Sequence, residues 1–146
     1  MAEKKPGLVW HSPQFYREAH AVAASRVRFD QYNGKRILIV DFSRAEYDLV
    51  RAVAAECYNV MSGEPALSVL SLCEVEGIPF NTDSLRIGGE LTDLCKPYSA
   101  RIAVSGVTGF RAFLLQTIAD AAGRPTKLFK DRTTALDWLV SDQDQT

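Results

Sequence analysis

The chain has 146 residues, 47% of them apolar and 24% charged, with a formal net charge of -1. That length supports one domain with a substantial core, and the near-neutral charge excludes wholesale binding to phosphate backbones or anionic membranes. No apolar run approaches the roughly 20 residues of a membrane span, and Lys4 and Lys5 precede no apolar segment of a secretory leader.

Residues 1–7 read as a frayed start. Ser12-Pro13 offers a helix cap followed by proline at the first helical position, and Phe15, Ala19, Val22 and Ala23 then share one weak face. Residues 1–25 are therefore set apart as an N-terminal extension, with a short helix docked through Trp10, Phe15 and Tyr16. His11 and His20 have no metal-ligand spacing to any Cys or carboxylate, so surface positions are expected for both.

From residue 26 to 30, Val27 and Phe29 alternate with Arg26, Arg28 and Asp30, the mark of a half-exposed edge strand. Asn33-Gly34 is the dipeptide of a two-residue hairpin turn, because both positions need positive φ. The unbroken run Ile37-Leu38-Ile39-Val40 suits a strand covered on both faces near the middle of a sheet. Ser43-Arg44-Ala45-Glu46 has the spacing of a capping box. The helix it opens carries Val50, Val53, Cys57, Val60 and Met61 on one stripe, and Gly63 and Pro65 end it.

A second main strand is expected at 67–75, closing at Gly77-Ile78-Pro79. Asn81 or Thr82 then caps a second helix with Leu85, Gly88, Leu91 and Leu94 or Cys95 inward. Gly88-Gly89 inside it predicts close approach to another backbone, or a break. A third strand at 101–105 turns through Gly106-Val107-Thr108-Gly109 into a third helix. Its pattern is the clearest in the chain, with Phe110, Phe113, Leu114, Thr117, Ile118 and Ala121 facing the core. Residues 126–129 form a short last strand. Asp131 caps a terminal helix with Ala135, Leu136, Leu139 and Val140 inward and Trp138 at its rim, and 142–146 is a polar tail. The alternation predicts an α/β domain over 26–141, with a mostly parallel sheet and a leading antiparallel hairpin strand.

No catalytic constellation accompanies this frame. There is no nucleophile elbow, Walker loop or zinc-protease helix, and the two histidines lie far from the strand ends, so no enzyme activity, metal or cofactor is expected. Cys57, Cys73 and Cys95 are odd in number and sit in apolar segments, which suits buried free thiols in a reducing cytoplasm. Asp41 ends the first long strand, where open α/β sheets place ligands, but without a partner a turn role is preferred. Two loops are candidates for an anion. Ser105, Gly106, Thr108 and Gly109 present N–H groups and a helix dipole, although such residues are also ordinary in turns. Phe80-Asn81-Thr82-Asp83-Ser84 places hydroxyls at a helix start, where the dipole favours phosphate and Asp83 opposes it.

Tyr-Asn-Gly-Lys-Arg-Ile-Leu-Ile-Val-Asp-Phe-Ser from Tyr32, Lys96-Pro97-Tyr98, the run Val104 to Gly109, and Ala-Leu-Asp-Trp-Leu-Val from Ala135 together resemble the small bacterial STAS-like, SpoIIAA-like proteins over residues 27–141. The resemblance implies a strand–helix superhelix that docks onto a partner protein without catalysis. In its best-known members a serine at a helix N-terminus, within Asp-Ser-Ser/Thr-Gly, is phosphorylated. Here that place reads Thr82-Asp83-Ser84-Leu85, lacking the second hydroxyl and the glycine. The docking and switch candidates are accordingly Phe80, Thr82 and Ser84, with a protein partner, a homodimer left open, and neither nucleic acid nor membrane. The lipid carriers of the CRAL-TRIO type share a related topology, but residues 26–141 leave little room for an enclosed acyl cavity. The runner-up reading is a small-ligand or nucleotide binder using the turn at Gly106 to Gly109.

Overall fold

A computed structural model describes residues 21–123 and 126–141, so the readings for Trp10, His11, Phe15, Tyr16, His20 and the 142–146 tail lie outside the described residues. In chain order the elements are strands β1 (Val27–Tyr32) and β2 (Lys35–Asp41), helix α1 (Tyr47–Met61), strand β3 (Val69–Glu74), helix α2 (Thr82–Cys95), a 3-10 turn (Lys96–Tyr98), strand β4 (Ser99–Ser105), helix α3 (Gly109–Ala121), strand β5 (Thr126–Phe129) and helix α4 (Arg132–Val140). The strands lie in sequence order in one sheet, with β1 antiparallel to β2 and every other pair parallel.

The hairpin forms as its dipeptide requires. Asn33 has φ 49 and Gly34 φ 82, and the turn sets Tyr32 opposite Lys35. Residues Ile37 to Val40 are all buried. Leu38 and Val40 join Val50, Val53, Cys57 and Ile87 in one core, while Ile37 and Ile39 join Leu72, Leu136 and Leu139 in a second. A strand buried on both faces has no polar side to alternate. Each such Leu or Ile contributes about 1.5–3 kcal/mol by leaving water. The strand is second in the sheet rather than central; β3 holds the middle place.

Helices α1 and α2 share one core and α2 and α3 overhang one sheet floor, so all three lie on the same face, as right-handed crossovers stepping in one direction require. Helix α4 returns beneath β3 and β4 on the other face. Asp131 caps it by accepting a hydrogen bond from the Thr134 N–H at 2.8 Å. Arg101 holds its far end: Nη1 donates to the carbonyls of Trp138 (2.6 Å) and Ser141 (3.1 Å). Trp138 packs at a tilt against Phe129 with ring centres 5.6 Å apart, the rim position expected of it.

Four local expectations are corrected. The capping box at Ser43 and Glu46 does not form. Helix α1 starts at Tyr47, Glu46 makes no side-chain cap bond, and Arg44 has φ 57. The Ser43 N–H and hydroxyl donate instead to Asp41 Oδ1, a local side-chain turn that competes with helix capping. Burial alone would raise the Asp41 carboxyl, but those hydrogen bonds and the charges of Arg26 and Arg28 hold it below its ordinary value. Strand β3 begins at Val69, because Leu67 has φ 53 and no strand geometry. Helix α2 is unbroken and buries Ile87, Leu91 and Cys95, and at Gly88 no close approach is found, since a Cβ there would meet nothing within 4 Å. The fourth correction is α3. Phe110, Phe113, Thr117, Ile118 and Ala121 are exposed, and Ala119 is its one buried residue.

Candidate functional site: a cleft between two helices

Helices α1 and α2 pack against one another, whereas α2 and α3 stand apart as the walls of an open cleft. Its volume is about 350 Å³. Cys73, Ile102, Val104, Thr126 and Leu128 make the floor, all from the sheet face that carries these helices. Leu85, Gly88 and Leu91 line one wall; Leu115, Ile118 and Ala119 line the other. Among the described residues Arg111 is the single charged one in the lining. Its guanidinium lies 4.7 Å from the centre of the Phe80 ring at the mouth.

The orientation of α3 follows from Gln116. Its Nε2 donates to the Thr126 carbonyl at 2.9 Å, and its Oε1 accepts from the Leu128 N–H at 2.8 Å. One side chain thus satisfies the open edge of β5, a row of backbone groups that a sheet edge leaves unpaired. Satisfying that edge turns Ala112, Leu115, Gln116 and Ala119 toward the sheet, and the phenylalanines outward. Phe110 is 74% and Phe113 68% exposed, their rings 6.5 Å apart. Sequence reasoning missed Gln116; the available signal was a residue with both donor and acceptor at helical spacing from Ala112 and Ala119.

The two candidate loops, far apart in sequence, meet here: Phe80, Ser84, Gly106 and Thr108 all line the cleft. Their environments differ. Ser105 is buried, and its carbonyl accepts from the Val75 N–H at 3.0 Å. Gly106 has φ +101, and a Cβ there would lie 2.8 Å from the Glu76 backbone nitrogen, so the loop packs directly on the connection before α2. Thr108 and Gly109 are exposed at the mouth. Thr108 is the N-cap of α3 without a side-chain cap bond, which leaves first-turn N–H groups available.

At the start of α2 the capping box is Asn81 with Ser84. Asn81 Oδ1 accepts from the Ser84 N–H at 3.0 Å, and Ser84 Oγ accepts from the Asn81 N–H at 3.1 Å. Ser84 is half-buried and committed to this box, while Thr82 is exposed. Asp83 pairs with Arg86 at 3.4 Å.

All three cysteines are free; Cys57 and Cys95 are buried and Cys73 half-buried. The hydrogen bond with Cys95, followed by burial, pushes the Cys57 thiol well up, and burial pushes Cys73 up to about 12. Such thiols are poor nucleophiles, since the thiolate is the reactive form. Among the described residues no group of three or more His, Cys, Asp or Glu is placed to hold a metal ion, and no helix is long and apolar enough to cross a membrane.

No protein-family model matches the chain, and no curated protein matches it. A solved structure does: an uncharacterized protein from the DUF3478 family with a SpoIIAA-like fold, from Shewanella loihica PV-4. The TM-score is 0.60 at 14% identity, covering 77% of this chain and 91% of that one. With its hairpin lead, its parallel strand–helix succession and this likeness, the chain carries the SpoIIAA-like, STAS-like fold.

Proposed function

We propose that this STAS-like module is non-catalytic and works by docking a protein partner at the rim of the cleft, on the outer face of α3 and the adjoining start of α2. The exposed pair Phe110 and Phe113 carries the reading. Two neighbouring aromatic side chains held in water on a rigid helix are costly to leave uncovered and form the usual anchor of an interface. Phe80, under the Arg111 guanidinium, extends the apolar rim toward α2. Thr82 is the exposed hydroxyl at that helix start and the preferred phosphoacceptor. A phosphate on Thr82 would sit favourably on the helix N-terminus while adding about -1.5 to -2 charges beside the docking rim.

The test is site-specific photo-crosslinking in native cell extract, with the crosslinking residue at position 113 or, as control, at Arg28 on the outer strand. A defined adduct from position 113 and none from Arg28 is expected. The double variant Phe110→Ser/Phe113→Ser should lose complex formation with the melting temperature unchanged, since exposed substitutions stay within about 0.5 kcal/mol. Equal adducts from both positions, or an undiminished complex with the double variant, would remove the docking face from the molecule.

A further inference from the structure

We propose that the cleft between α2 and α3 binds a single-tailed organic carboxylate, with the apolar body on the sheet and the carboxylate at Arg111. The proposal does not rest on the docking reading, because it uses the interior of the cleft rather than its rim. A volume of about 350 Å³ falls in the range of small-molecule sites. The described lining is apolar apart from a few hydroxyls, and its one charge is positive. Among the described residues no carboxylate lines the cleft and none pairs with Arg111. An apolar trough with a lone cation at its mouth complements an amphipathic anion and discriminates against a cation.

Geometry gives the ligand a direction. Arg111 stands in the first turn of α3, beside first-turn N–H groups that Thr108 does not cap. A carboxylate there would meet a planar donor fork and the positive end of the helix together. From Arg111 to Ala119, eight residues on, the wall runs about 12 Å, room for an extended tail across Val104, Ile102 and Leu128. At the far end Thr126 lines the floor with its hydroxyl oxygen buried and without a hydrogen-bond partner among the described residues. A buried hydroxyl of that kind is costly until a hydrogen-bonding group reaches it, which an alkyl tail does not do, so it marks the end of the apolar trough and is no contact for the tail.

Gly88 supplies a clean test. It lines the α2 wall, and a Cβ there would meet nothing within 4 Å. Gly88→Leu should therefore fill the cleft while improving the helix, since glycine is unfavourable in a helix interior. The full chain would be titrated calorimetrically with decanoate, decanol and decyltrimethylammonium, below their aggregation concentrations. Wild type should bind one decanoate, at least about tenfold more tightly than decanol, with a matching rise in melting temperature. The cation should not bind measurably. Gly88→Leu should melt higher than wild type and lose decanoate by more than about tenfold; Arg111→Gln should bind decanoate and decanol alike. Three results would overturn the proposal. They are absence of decanoate binding to wild type, undiminished binding by Gly88→Leu, and unchanged preference for the anion in Arg111→Gln. Loss of the cross-link at position 113 would leave it standing.

Discussion

Helices α1 and α3 belong to the first and third parallel crossings over the same sheet face, and both are rich in apolar residues, yet they are used in opposite ways. Helix α1 buries Val50, Ala52, Val53, Ala54, Cys57 and Met61 against β2, β3 and α2. Helix α3 buries Ala119, half-buries Leu115, and turns Phe110 and Phe113 to solvent. The same apolar content is core in one half of the molecule and surface in the other. What differs is the neighbour: α2 closes over α1, while Gln116 fastens α3 to the edge of β5 and away from α2. The closed half supplies stability, and the open half is where binding is to be sought.

The largest effect should come from the closed half. Leu38→Ala removes a side chain with no exposed surface and should cost about 2–5 kcal/mol. Leu115→Ala, on the cleft wall, has solvent-accessible space beside it already and should cost less than half as much by denaturant titration. Equal costs would mean that α3 is core after all.

Gln116→Ala should come next. It leaves the Leu128 N–H and Thr126 carbonyl without their partner, at about 1–3 kcal/mol. Hydrogen exchange should then quicken at Leu128 while amides of β2 stay protected. Unchanged exchange at Leu128 would remove Gln116 as the fastener of α3.

Gly34→Val is a smaller and purely conformational probe. Nothing lies within 4 Å of a Cβ at that position, so the cost is that of a β-branched residue at φ 82, about 1–2 kcal/mol. The melting temperature should fall with binding at the cleft unaffected. A melting temperature unchanged by the substitution would contradict the turn.

The smallest expected signal is the pH response of Cys73 on the cleft floor. Its folded value is raised from 9.0 to about 12. The neutral thiol therefore favours the folded state: that contribution is fully present below pH 9 and is lost as the pH climbs toward 12. Alkylation of Cys73 in native protein should be slow at neutral pH and accelerate above pH 9, while unfolded protein reacts faster throughout. Rapid native labelling at pH 7 would show the floor to be far more open than its burial implies.

Local chemistry by itself determined the hairpin at Asn33-Gly34, a helix start at Asn81 or Thr82 and another at Asp131, and the double-sided burial of Ile37 to Val40. Each depends on residues within a few positions of one another, through positive φ, a short side-chain acceptor or the absence of any polar side. Strand–helix alternation then sufficed for a mostly parallel sheet with a leading hairpin strand, but not for the strand order, which puts β3 rather than β2 in the middle. Ser43 could not be resolved that way: Glu46 and Asp41 both lie within reach of its hydroxyl, and the chain path at Arg44 decides between them. The facing of α3 needed the tertiary structure outright. Its apolar residues cover more than one side of the helix, so periodicity admits two orientations, and the choice rests on hydrogen bonds to a strand that exists as an edge only once the sheet is assembled. The cleft is likewise a product of assembly, since the gap between α2 and α3 is a property of how two helices lean on a shared sheet and of no residue in either.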